Sequence, residues 1–95
     1  MLQPGLLSVS VFRRSYGRRY TDLPVDEVSP TELLIDCSNT YMQPAHYDLR
    51  AGDIVRWRSG ERFIEAQIVS VTRDNTTLRA ELAGAHPLPP DFFPY

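Results

Sequence analysis

From Leu6 to Phe12 the chain alternates: Leu7, Val9 and Val11 fall on one side, Ser8 and Ser10 on the other. A period of two predicts a half-buried strand, with Pro4 and Gly5 marking a loop ahead of it. The strongest patterning lies further on, in LRAGDIVRWRSGERFIEAQIVSVTRDNTTLRAEL, residues 49–82. Val55 and Trp57 oppose Arg56 and Arg58, which predicts a strand over 54–58. Ser59-Gly60 turns the chain into a longer strand, 62–72, where Ile64, Ala66 and Ile68 alternate with Glu65 and Gln67. Past Ile68 the phase shifts, and Val69 and Val71 take the apolar role. A change of phase within one strand predicts a bulge or sharp bend of the kind that lets small barrels close. Arg73-Asp74-Asn75 makes the next turn. A third strand, 77–82, then sets Leu78, Ala80 and Leu82 inward and Arg79 and Glu81 outward. Two hairpins in succession form a meander.

The remaining segments carry less pattern. RRSYGRRYTDLP sets Arg13, Arg14, Arg18 and Arg19 around Tyr16 and Tyr20, with Gly17 predicting a turn or a mobile arm. Ser29-Pro30-Thr31-Glu32 matches a helix capping box with Pro at the first helical position. ELLIDCSN is nevertheless short enough to be a strand, so residues 29–37 read as either, with strand the better fit to a β-rich chain. TYMQPAHYDLRAGD reads as a loop. After Ala83-Gly84 the prolines of AHPLPPDFFPY favour an extended, polyproline-like tail.

The chain has 95 residues, 42% hydrophobic and 23% charged, which suits one folded domain with a modest core. The expected fold is mainly β: a small antiparallel SH3-like barrel with an extended N-terminal arm and C-terminal tail and at most one short helix. Residues 1–84 form the barrel domain, with the Arg-rich loop at 13–20, and residues 85–95 form the tail. A net charge of −2 gives no global attraction to nucleic acid or anionic membrane. Every basic residue is Arg, a composition that favours planar, bidentate contacts.

Chemistry is sparse. Cys37 is the single cysteine, so no internal disulfide forms, and its expected role is a small buried hydrophobe. His46 and His86 lie far from Cys37 and from each other, so no metal site is expected. No paired-carboxylate or nucleophile–base set supports catalysis. Asp48 and Asp53 lie near His46, but Asp53 is expected to cap the turn after Gly52. No cofactor is expected. No apolar run is long enough for a membrane span, and MLQPGLL lacks the features of a signal peptide.

The motif GDIVRW..GERFIEAQI.SV resembles SH3-like and Tudor-like barrels through Gly52, Asp53, Gly60, Phe63 and Ala66. The same motif, which lies in about the last half of the chain, is also similar to the head–tail joining (stopper or adaptor) proteins of tailed bacteriophages. The Tudor resemblance would imply an aromatic cage with Trp57 and Phe63 as walls, although Trp57 falls where a core residue belongs. The phage resemblance implies a non-enzymatic head–tail connector or neck component. It would be assembled in the host cytoplasm, reside in the virion, and contact other copies in a ring and neighbouring virion proteins.

Two segments are candidate partner-binding elements. Arg13, Arg14, Tyr16, Arg18, Arg19 and Tyr20 interleave guanidinium and aromatic groups. These suit acidic protein surfaces, including the acidic block Asp22, Asp26, Glu27, Glu32 and Asp36 of another copy. They also suit phosphates and bases, the basis of an alternative nucleic-acid-binding or regulatory module. Phe92, Phe93 and Tyr95 are apolar anchors on a stiffened tail, placed either to dock on a partner or to cover the end of the barrel.

Overall fold

The computed structural model describes residues 7–14, 17–38, 41 and 43–89. Its strands are β1 (Leu7–Arg13), β2 (Gly17–Val25), β3 (Glu27–Val28), β4 (Glu32–Asp36), β5 (Ile54–Ser59), β6 (Arg62–Arg73) and β7 (Thr77–Pro87). They pair antiparallel throughout, in the order β2-β1-β5-β6-β7-β4-β3. The outermost strands, β2 and β3, are consecutive in the chain and separated only by Asp26. In a flat sheet six spacings of about 4.8 Å would hold them roughly 29 Å apart, whereas one residue advances the chain by about 3.8 Å. The sheet is therefore curled into a half-barrel that brings its two edges together. The Asp26 N–H donates to the Leu34 carbonyl at 2.8 Å, and β2 lies against β4.

Alternation fills the interior. Val9 and Val11 of β1, Val55 and Trp57 of β5, Ala66 and Ile68 of β6, and Leu78, Ala80 and Leu82 of β7 are all buried. Leu33 and Ile35 of β4, Leu23 and Val25 of β2, and Cys37 complete the same core. The phase change in β6 is a bulge: Ile68 pairs with Leu82 but Ser70 with Glu81, so Val69 is the extra residue. It does not take the apolar role expected for it. Val69 is 50% exposed, while Val71 packs against the core.

Two further expectations change, and one open choice closes. The segment after Gly17 is no free arm: β1 and β2 form a hairpin, with Arg13 opposite Gly17 and Phe12 opposite Arg18. Within residues 29–37 the favoured strand reading holds, and Glu32–Asp36 form β4. Ser29 does act like a cap, its Oγ accepting from the Thr31 and Glu32 N–H groups, but it closes the β3–β4 turn rather than a helix. Finally, β7 passes through the expected domain boundary at 84/85. Gly84, at φ +69°, lies in a second bulge between the Gln67–Ala83 and Glu65–His86 pairs, and pairing continues to Pro87. Leu88 is buried, its N–H donating to the Phe63 carbonyl at 2.8 Å.

Candidate functional site

Two sets of polar and aromatic side chains stand out, one at the end of the half-barrel and one on its outer face. The first is built on Arg13. Val9, Val11 and Arg13 share the inward parity of β1, so the guanidinium is directed to the end of the interior, with its side chain 11% exposed. A buried charge needs partners. Its Nε donates to Asp53 Oδ1 and its Nη2 to Asp53 Oδ2, at 2.9 and 3.0 Å, a bidentate pair. Its Nη1 and Nη2 also donate to the Asp48 carboxylate and carbonyl. Arg19 and Arg50 approach the same Asp48 carboxylate.

The electrostatics follow. The Arg13 hydrogen bond, then that from Arg19, holds the Asp48 carboxyl well below the usual carboxylate range. Asp53 and Asp48 in turn raise the Arg13 guanidinium further above its already high value. Asp53 does cap its turn as expected, accepting from the Arg50 N–H at 3.0 Å. The pairing with Arg13 was invisible at a sequence separation of 40.

This cluster fastens the loop between β4 and β5 to the barrel. The Tyr20 hydroxyl accepts from the Asp48 N–H at 2.9 Å. Arg73, from the end of β6, donates to the carbonyls of Pro44, Tyr47 and Leu49. Among its described residues the loop carries a 3-10 turn at Pro44–His46 and sends Leu49 into the interior. A hollow of about 340 Å³ beside the cluster is lined by Arg13, Arg14, Arg50, Gly52, Asp53 and Gln67. Chemically the arrangement is a charged clamp: the Asp48 carboxyl is held ionised and the central guanidinium is engaged on two sides.

The second set lies on the outward parity of β1, β5 and β6. Arg18 stacks over the Phe12 ring at 5.3 Å and Arg56 over it at 4.5 Å. Arg58 stacks over Phe63 at 5.9 Å, directly across the β5–β6 ladder. Arg56 also donates to Glu65 at 2.7 Å, and His86 of β7 lies 3.5 Å from the other Glu65 oxygen. Phe12 and Phe63 are half-buried, so each ring packs on the sheet and still presents a surface. Guanidinium–ring stacks of this kind contribute about 0.5–1 kcal/mol at exposed sites.

The candidate residues thus divide. Arg13 and Tyr20 build the clamp, and Arg19 joins it from the surface. Arg18 belongs to the outer face, and Arg14 is exposed at the hairpin end. Tyr16, Phe92, Phe93 and Tyr95 lie outside the described residues. Trp57 is a core side chain, 6% exposed, and no cage forms around it with Phe63, which occupies the opposite face. Among the described residues no group of three or more His, Cys, Asp or Glu side chains is placed to hold a metal. Phe12, Arg56, Arg58 and Phe63 were missed as a surface, although the parity that put Val55 and Trp57 inside also puts Arg56 and Arg58 outside together.

Comparison of the chain with protein-family models, with curated proteins and with solved structures finds no match.

Proposed function

We propose that this protein is a non-enzymatic structural assembly protein acting through protein–protein contacts. The family its GDIVRW meander resembles suggests a role as a tailed-phage head–tail connector or neck component, residing in the virion. The observation that carries the assembly reading is the Arg–Phe surface on β1, β5 and β6. Arg and aromatic side chains dominate the energetics of protein interfaces, and here they stand on paired strands with guanidinium groups already stacked. Little side-chain freedom remains to be lost on docking, which favours affinity. The clamp around Arg13 supports the same reading, since its charges stiffen a loop.

The same surface favours one second reading, a module that binds single-stranded nucleic acid by stacking bases on Phe12 and Phe63. Electrophoretic mobility of labelled single- and double-stranded oligonucleotides at low salt separates the two. The assembly reading expects no shift. A shift that weakens steeply with salt, and is lost in Arg58→Glu, would replace it with the nucleic-acid module.

A further inference from the structure

The Arg–Phe surface has an electrostatic counterpart on the far side of the same molecule. In the strand order β2-β1-β5-β6-β7-β4-β3, β1 and β5 lie near one end and β7 and β4 near the other. Because the sheet is curled until its edges meet, the outer faces of these two pairs look in different directions. On β4 the inward residues are Leu33 and Ile35, so Glu32, Leu34 and Asp36 face out. Register adds Glu27 of β3 opposite Leu34, and Glu81 of β7 opposite Glu32. The result is the half-buried, apolar Leu34 flanked by the carboxylates of Glu27, Glu32 and Asp36, with Arg79 directly across from it on β7 and paired to Glu32 at 2.8 Å. The first face is the converse: two Phe rings among Arg18, Arg56 and Arg58, with Asp22 and Glu65 as its acids.

We infer that the Arg–Phe face of one copy docks on the Leu34-centred acidic face of a second copy. This names the partner for the surface on which the assembly reading rests. Opposite charge at the rims steers encounter and fixes register, and apolar groups at both centres exclude water. The two patches are different and lie on different sides, so the contact is heterologous. Each bound copy leaves one patch open, and such contacts propagate into a ring or a filament rather than stopping at a two-fold dimer.

The test is a charge-reversal pair in the full chain: Arg18→Glu with Arg58→Glu on one face, Glu27→Arg with Glu81→Arg on the other. All four side chains lie on the surface, and circular dichroism verifies that each variant retains the β fold. In low salt, sedimentation velocity should show the wild type associating, and each variant alone associating about tenfold more weakly or less. An equal mixture of the two variants should regain association, because each acidic face again meets a basic one. Association of the single-face variants at wild-type strength would overturn this interface and leave the assembly reading standing. Failure of the mixture to regain association would overturn it likewise. A wild type that stays monomeric throughout would overturn the self-docking inference, and if it also shifted oligonucleotides the assembly reading would fall with it.

Discussion

Arg13 and Asp53, forty positions apart, meet in a two-pronged ion pair at 2.9 and 3.0 Å, with Asp53 only 2% exposed. Removing one member of a buried pair costs more than the pair itself contributes, because a desolvated charge is left behind. Arg13→Ala is therefore expected to destabilise the fold by about 3–5 kcal/mol. Arg14→Ala, at an exposed neighbour, is expected to stay within about 0.5 kcal/mol of wild type. Arg13→Lys should fall between them, since an ammonium cannot reproduce the fork. Urea denaturation of the three variants checks the order, and equal effects for Arg13→Ala and Arg14→Ala would contradict the clamp.

The clamp also sets the response to acid. Asp48 is held ionised in the folded chain by Arg13 and then Arg19, so its folded value lies below its unfolded one. A carboxyl with a depressed folded value stabilises the fold above its unfolded value and loses that contribution as the pH falls through the folded value. Hydrogen bonds from the Ser38 N–H to Asp36, and from the Thr76 and Thr77 N–H groups to Asp74, depress those carboxyls in the same direction. Melting temperature should accordingly decline as pH falls below about 4. Asp48→Asn should start lower and decline less steeply. An unchanged acid slope in that variant would show that Asp48 is not a titrating member of the clamp.

Cys37 lies in the core, and burial is the first cause pushing its thiol up, followed by Asp36 and Asp26 nearby. The thiolate is the reactive form. Alkylation by iodoacetamide should be slow in the native protein and rapid in urea. Equal rates in both conditions would place the thiol at the surface.

The bulge in β6 makes a contrast between neighbours. Ile68 is fully buried and Val69 is half-exposed. Ile68→Ala should cost about 2–5 kcal/mol, while Val69→Ser should change stability by no more than about 0.5 kcal/mol. Thermal unfolding monitored by circular dichroism reads both. A comparable loss for the two would mean that strand phase continues unbroken through Val69.

How much of this was legible follows from where each constraint acts. Alternation acts between near neighbours, so the strands holding Val9, Val55, Ile68 and Leu78 could be read, as could the bulge after Ile68. β2 could not: GRRYTDLPV carries two register shifts against β1, with Asp22 at φ +54°, and these erase any period. The end of β7 was hidden because Gly84 has the look of a terminator when it is a bulge within a continuing strand. The clamp joins β1 to a loop far along the chain, and no local pattern encodes that. One local signal did exist: Arg13 falls on the apolar parity of LSVSVFR, which is a demand for a buried acidic partner. Without it the arginines of the hairpin looked equivalent, and residues that build the structure were grouped with those that face outward.

The central claim, that the chain assembles with further copies of itself through its outer sheet faces, is tested most directly by sedimentation equilibrium of the full chain. The measurement should run from micromolar to millimolar protein, at low and at high salt. The account predicts a weight-average mass rising above 10.9 kDa with concentration in low salt and falling back toward it as salt is added. A mass fixed at that of the single chain under every condition would contradict it.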